Sequence, residues 1–417
     1  MRALVFKRLS ILWLVFLGLW LCPKESRADV LPTPDRVSVL TMGPGDHPFA
    51  RFGHNALLVE WQRPRLALVY NFGTFSFDGL QGIRDFMAGN FRYWLSVSNL
   101  SRTLAAYAAQ GRSVAVQELD LTADEREELG RALELNALPE NAAYDYDYYY
   151  DNCSTRVRDA VDRVVGGIVK QQVSEAPGRL TFRQHTLRLV ADGFWVYLGL
   201  DVALGPKTDA PTTRWDETFI PEELQKSLGS VRRADGRPLV LRESLVVPSD
   251  RPPERSEPPA RIPGFLLSGV LLGAAFGLLG RSGSKQRIAR IGFLSTTALV
   301  GLVLGSLGTV FFVFWAFTKH WSAYRNFNLL VFTPWALALV VTQLAALRGK
   351  SWALLWGERL IAASTLAAIV AVLLALIPHF GQDNTRVAAL LGPLWIGIYA
   401  GSRFLAGKAI WPSLRAR

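Results

Sequence analysis

Cysteine is nearly missing from this chain: 417 residues hold two, Cys22 and Cys153, together with five histidines. Cys22 falls in an apolar N-terminal stretch that reads as an export signal. Cys153 is then left as a lone thiol, which excludes an internal disulfide framework. No His/Cys pair has the spacing of a metal site, so no metal is expected. Asp120, Asp124 and Glu125 come closest to an acidic ligand set, and a helix capping box accounts for Glu125. A glycine-rich phosphate loop and an internal repeat are both missing, and no cofactor is expected.

A basic surplus is also missing where a polyanion binder would need it. The chain carries a net charge of +11, yet residues 29–258 hold 26 basic and 32 acidic side chains. The positive excess lies in the leader and in the apolar C-terminal part, so nucleic acid is not an expected partner.

What the chain does have is hydrophobic runs. Arg2, Lys7 and Arg8 precede an apolar stretch from Ile11 to Leu21, and Ser26-Arg27-Ala28 offers small residues at a cleavage site. Residues 1–28 are therefore expected to be a signal peptide, with an uncleaved anchor as the alternative. From Pro263 onward five segments approach the length a bilayer requires: Pro263 to Gly280, Gly292 to Phe317, Leu329 to Leu347, Leu360 to Pro378 and Val387 to Gly407. Arg281, Lys285, Arg287 and Arg290 fill the first loop, Arg348, Lys350 and Arg359 the third, and Lys408, Arg415 and Arg417 the tail. The intervening loops hold only Lys319, Arg325 and Arg386. The positive-inside rule puts the richer set in the cytoplasm and residues 29–260 outside. Gly269, Gly273 and Gly277 recur every fourth residue, a helix-packing signal.

The expected organisation is a signal peptide (1–28), an exported domain (29–248), a proline-rich linker (249–262) and a membrane domain (263–410). The exported domain mixes strands and helices. Val37 to Met42, Asn55 to Trp61, Leu66 to Phe72 and Ser113 to Leu119 are bounded aliphatic runs that predict strands. Thr122 to Asn136 predicts a helix that opens with a capping box, and Thr181 to Leu198 a further helix containing His185.

The chemistry gathers in Tyr149-Tyr150-Asp151-Asn152-Cys153-Ser154-Thr155-Arg156. Asn152 or Asp151 can cap a helix from Ser154 to about Val165, with Val157, Ala160, Val161, Val164 and Val165 as its apolar face. That places the sulfur at a helix N-terminus, where backbone N–H groups favour a thiolate and can hold an oxyanion. The alternative is a buried cysteine acting as a small hydrophobe. Arg156 could bind a lipid carboxyl or phosphate, or pair with Asp151. Tyr144 to Tyr150 could form a lipid-facing aromatic edge or a strand with one packed face. A nucleophilic cysteine needs a base. His320 and His379 lie at membrane edges, His185 in a helix and His47 in a loop, whereas His54 opens a strand directly after Gly53. His54 is the expected general base.

Phe52-Gly53-His54-Asn55, Tyr70-Asn71-Phe72-Gly73-Thr74-Phe75, Gly89-Asn90-Phe91-Arg92-Tyr93-Trp94-Leu95, Gly111-Arg112, Asn136 with Pro139-Glu140-Asn141, and Asp151 to Arg156 occur in one order. Together they resemble the exported domain of the bacterial lipoprotein intramolecular transacylase (Lnb-like) family over roughly residues 37–165. The membrane part is similar to that family's through Lys319-His320, Asn326-Phe327-Asn328 and Pro334. The resemblance implies an α+β fold: a circularly permuted papain-like exported domain, similar to NlpC-type hydrolases and lecithin retinol acyltransferase, followed by an all-α membrane domain of five transmembrane helices. It also implies Asn71 as the third catalytic group, orienting His54.

The implied activity is acyl transfer from a lipid or lipoprotein diacylglyceryl ester, through a Cys153 thioester, to an amine such as a lipoprotein N-terminus. Membrane lipids and lipoproteins are then the partners, and the bacterial inner membrane is the location. Asn152, Arg156, His320, Asn326 and Asn328 are the expected substrate-binding residues, the last three on a loop that topology puts on the same side as Cys153. A cell-wall peptidase or amidase using the same pair, and a non-enzymatic membrane assembly protein, are the competing readings. The sequence leaves the oligomeric state open.

Overall fold

The computed structural model describes residues 31–76, 79–377 and 380–408. The leader with Cys22, the pair Pro378 and His379, and the basic tail beyond Lys408 lie outside the described residues.

The N-terminal region is built on one antiparallel sheet of seven strands: β1 (Arg36–Met42), β2 (His54–Trp61), β3 (Leu66–Thr74), β4 (Arg92–Asn99), β5 (Val114–Leu119), β6 (Ala143–Asp145) and β7 (Val240–Val247). Their order across the sheet is β6-β4-β3-β2-β1-β5-β7. The four strands expected from aliphatic runs are β1, β2, β3 and β5. In β1 and β2 nearly every position is buried, because helices cover both faces. β7 is not among the expected strands; it pairs with β5 over Val114 to Leu119 and closes that side of the sheet.

Helices α1 (Gly79–Ala88) and α2 (Leu100–Ala109) precede and follow β4, and α3 (Ala123–Asn136) opens with the expected reciprocal bonds between Thr122 and Glu125. α4 (Cys153–Val164) packs across β2 and β3, with Val157 and Val161 fully enclosed against Leu57, Val59 and Tyr70. Burial of each such valine contributes about 1.5–3 kcal/mol. The opposite face buries Leu40, Met42, Ala56, Leu58 and Val69 under Leu100, Leu104 and Tyr107 of α2.

The expected single helix from Thr181 to Leu198 is two, α5 (Phe182–Leu189) and α6 (Phe194–Ala203), because the chain turns at Asp192-Gly193. α7 (Pro221–Ser230) then returns to the sheet core. The proline-rich stretch after β7 is strapped to the domain: Arg251 pairs with Asp46, Glu254 with Arg188, and Arg261 donates to the Ala191 carbonyl.

Among the described residues five helices are long and apolar enough to cross a membrane: Ile262–Gly283 (α8), Arg287–Phe317 (α9), Phe327–Leu347, whose regular part is Ala338–Leu347 (α10), Ser351–Ala375 (α11) and Thr385–Leu405 (α12). Gly269 and Gly273 of α8 lie directly against the backbone of Leu390 and Pro393 in α12, so any side chain there would hold the two helices apart. The chain is thus a mixed α/β N-terminal region followed by a helical, multi-pass membrane region.

Two of the polar joints between the regions lie at the C-terminal end of α6. Asp201, at the C-terminal end of α6, receives Arg386 at 2.8 and 3.0 Å and Arg183 at 3.3 Å, all in a buried setting. The carbonyls that end α6 lack intrahelical partners. Asn326 donates to those of Val202 and Ala203 at 2.7 and 3.0 Å, and Asn328 donates to Val202 at 3.0 Å.

Candidate active site

Asn152 shapes the nucleophile's helix. Its side-chain oxygen accepts from the backbone N–H groups of Ser154 and Thr155 at 2.8 and 2.9 Å, and Thr155 Oγ1 accepts from the Asn152 N–H at 2.8 Å. Its amide donates to the carbonyls of Tyr148 and Phe219, both at 2.9 Å. Every polar group of this side chain is committed to holding the turn before Cys153.

A second anchor is Asn55, wholly buried on β2. It donates to Thr41 Oγ1 at 2.9 Å and the Leu40 carbonyl at 3.2 Å, and its side-chain oxygen lies 2.8 Å from Ser154 Oγ. The start of α4 is therefore fixed to β1 and β2. Gly73 completes the approach: at φ 88° in the bulge where β3 slips against β4, it passes so close that an added Cβ would sit 3.5 Å from Cys153 Cβ.

Cys153 is the free cysteine of the described residues and is 8% exposed. Burial raises its pKa above the ordinary thiol value. The backbone N–H groups of Asn55, Ser154 and Cys153, and more weakly Arg112, oppose that rise. The helix N-terminus was expected to favour the thiolate; desolvation outweighs it, and two of its N–H groups are already bound by Asn152. The resting sulfur is a thiol.

His54 begins β2, paired in register with Met42. Burial pushes its pKa down to about 4, and Arg112 adds to the effect, while a hydrogen bond with Asn71 opposes it. Asn71 donates its amide to Ser98 Oγ at 3.2 Å and the Val69 carbonyl at 3.3 Å, so its carbonyl oxygen is the atom left for an imidazole N–H. The His54 ring stacks on Tyr107 with centroids 6.4 Å apart, and the Arg112 guanidinium lies 4.6 Å from the same tyrosine ring.

These groups share one cavity of about 670 Å³. Cys153, His54 and Asn71 line it with an apolar wall that includes Phe75, Phe91, Tyr93, Tyr146 and Tyr148. The membrane region supplies another wall, through Phe314 at the end of α9 and His320, Ser322 and Ala323 in the loop that follows. That loop is docked on the N-terminal region: Lys319 N–H donates to the Ala88 carbonyl at 2.9 Å, Gly205 N–H to the Ser322 carbonyl at 2.6 Å, and Trp321 Nε1 to Asp147. His320 Nε2 donates to the Phe86 carbonyl at 3.1 Å, and burial lowers its pKa.

Of the residues expected from the sequence, the cavity brings together Cys153, His54, Asn71, Asn152 and His320. Arg156 is elsewhere. It forms a two-pronged pair with Asp151 at 2.6 and 2.7 Å, lies 3.8 Å from the Tyr144 ring centroid, and borders a separate open groove with Leu129 and Arg163. Asn326 and Asn328 are also elsewhere, capping α6 as described, because that helix end needs donors. The tyrosine run divides: Tyr144 lies on β6, while Tyr146, Tyr148 and Tyr149 line the cavity, Tyr149 also packing against Phe182 and Phe219.

Asn55 and Arg112 were missed as site residues, although both stand inside the matched motifs. Asn55 leaves a trace, a polar residue in an otherwise apolar strand. Arg112 leaves none, since its position depends on the turn between α2 and β5.

Residues 29–193 match the family described as the Lnb N-terminal periplasmic domain. No curated protein and no solved structure gives a significant match.

Proposed function

We propose that the protein is a membrane-bound acyltransferase acting on lipoproteins through Cys153, a reading supported by the match of residues 29–193 to the Lnb N-terminal periplasmic domain. The observation that carries this reading is the shared cavity: a cysteine at a helix N-terminus and a His–Asn pair face a space whose far wall is the loop after a membrane-spanning helix. An acyl chain can reach such a sulfur without leaving an apolar environment. A cell-wall peptide would gain nothing from that wall.

In the proposed reaction the neutral His54 takes the thiol proton as Cys153 Sγ attacks the carbonyl of a diacylglyceryl ester. Asn71 holds the imidazole in the required tautomer. The Cys153 N–H, already pointing at the sulfur, is placed to donate to the tetrahedral oxyanion. The ester C–O bond then breaks, the His54 proton goes to the leaving glycerol oxygen, and an acyl thioester remains. A neutral amine, the N-terminus of a lipoprotein, attacks that thioester and regenerates the thiol.

The sequence order of a histidine strand before a cysteine helix, on an antiparallel sheet, supports a permuted papain-like arrangement. The loop charges support an inner-membrane placement with the sheet outside the cytoplasm.

Replacing Cys153 by Ala tests the reading. Mass spectrometry of lipoprotein N-termini from cells carrying the variant should show the N-acyl form lost, with the protein still folded and in the membrane. Undiminished N-acylation by Cys153→Ala would refute covalent catalysis.

A further inference from the structure

Arg112 is a buried cation that no anion among the described residues balances. It is 6% exposed and lines the same cavity as Cys153 and His54. Nε donates to the Gly43 carbonyl at 2.7 Å and the guanidinium rests on Tyr107, but Nη2 is enclosed and has no hydrogen-bond partner. Among the described residues no carboxylate acts on it: the groups that do are Tyr107, Cys153 and, repulsively, Arg251, which is itself paired with Asp46. Among the described residues the cavity lining contains no Asp, Glu or Lys. Among the described lining residues Arg112 is the one side chain that carries a permanent charge.

A buried, unpaired guanidinium is costly, and a desolvated N–H without an acceptor adds to the cost. Such a group is retained where a ligand supplies the missing anion. The rest of the wall is apolar, so that ligand combines long hydrocarbon with one compact negative group close to the ester that Cys153 attacks. A guanidinium fits a phosphate better than a point charge would, through its fork of donors. A diacylglyceryl lipopeptide with a free N-terminus has no such anion beside its esters and brings a potential cation instead, which Arg112 would repel.

We infer that Arg112 receives the phosphodiester of a glycerophospholipid, and that this phospholipid, not the lipoprotein's own glycerol, is the acyl donor. The inference rests on the acyltransferase reading above. In the first half-reaction the S–C bond to the acyl carbon forms and the ester C–O bond breaks. The thiol proton passes through His54 to the glycerol oxygen, so one lysophospholipid leaves for each thioester made. In the second, the lipopeptide amine takes the acyl group, its C–N bond forms as the C–S bond breaks, and the proton returns to sulfur. No oxidant or further reactant is needed.

The test uses the full-length protein in mixed micelles, with a diacylglyceryl lipopeptide as acceptor and two donors carrying the same isotope-labelled chains: phosphatidylglycerol, and diacylglycerol without a phosphate. The wild type should form labelled N-acyl lipopeptide and an equal amount of lysophospholipid from the first donor, and transfer at least about tenfold less efficiently from the second, the scale of a charge-assisted hydrogen bond. Arg112→Gln should raise KM for phosphatidylglycerol by about tenfold or more and lower kcat/KM for phosphatidylglycerol by a much larger factor than for diacylglycerol, and Arg112→Lys should recover part of that difference. Labelling of Cys153 by a small neutral thiol reagent reports whether each variant keeps the site.

Equal loss on both donors would overturn the inference, since Arg112 would then serve the reacting carbonyl. Unlabelled N-acyl product without lysophospholipid would overturn it too, by making the lipopeptide its own donor. If Arg112→Gln fails to fold, the donor preference and lysophospholipid release of the wild type still decide. Failure of the underlying acyltransferase reading looks different: no acyl group is trapped on wild-type Cys153 from any donor.

Discussion

The low pKa of His54 has a consequence for stability that can be measured without any substrate. The unfolded chain takes up a proton at this position near the ordinary histidine value of 6.5, and the folded protein only near 4. Above pH 6.5 both states are neutral here and the full stability is present. As the pH falls from 6.5 toward 4 the unfolded state binds the proton first, and stability is lost. The difference amounts to at most about 3 kcal/mol, an upper bound because the ring edge meets the cavity.

His54→Gln is neutral throughout and removes this contribution. Denaturant titrations of the full-length protein in detergent, read by pulsed thiol labelling of Cys153, should show the wild type losing up to about 2.5 kcal/mol more than His54→Gln between pH 7 and pH 4.5. His185, which burial also pushes down, titrates in both proteins and cancels in the difference. Equal pH slopes for the two proteins, or a steeper slope in the variant, would show that the imidazole is not buried as a neutral base. The acid limb of acyl transfer should correspondingly lie near pH 4 and not near 6.5.

Three further outcomes follow from the geometry. Asn71→Ala should lower acyl transfer by about 10- to 100-fold through a misoriented imidazole, with Cys153 labelling little changed; Asn71→Asp should restore part of the rate and move the acid limb upward, since a carboxylate favours imidazolium. Asn152→Ala removes the cap of α4 and leaves the Tyr148 and Phe219 carbonyls without their donor, so it should destabilise the protein by about 2–4 kcal/mol in the same labelling titration. Arg386→Ala leaves Asp201 with Arg183 and breaks one polar joint between α6 and α12; a loss of about 3 kcal/mol or more is expected, seen as a lower thermal midpoint, with Arg386→Lys intermediate.

Much of the architecture is local physics and was legible from residues alone. Alternating and continuous aliphatic runs mark β1, β2, β3 and β5, because a strand's side chains report its covered faces within a few residues. The capping patterns at Thr122 and Asn152 locate the starts of α3 and α4, since a cap acts over one helical turn. Five apolar segments mark the membrane helices, because a bilayer imposes length and hydropathy on each span separately. The glycines of α8 declare a close helix neighbour in the same local way.

Other features exist only once distant segments meet. β7 interrupts its aliphatic residues with Arg242, Glu243 and Ser244 and so does not read as a covered strand, and only β5, more than a hundred residues earlier, makes it part of the sheet. Asn326 and Asn328 looked like groups facing a substrate; the open carbonyls at the end of α6 claim them, and no spacing in the sequence announces that partnership. The thiol of Cys153 was expected to ionise because a helix N-terminus is a local favour to negative charge, whereas desolvation depends on everything packed around the sulfur and prevails. Arg112 stands for the same lesson. Its residue type and motif are visible in the sequence, but whether a guanidinium is solvated on a turn or enclosed beside Cys153 and His54 is decided by tertiary burial, because a charge's cost and its need for a partner depend on the dielectric and donors around it.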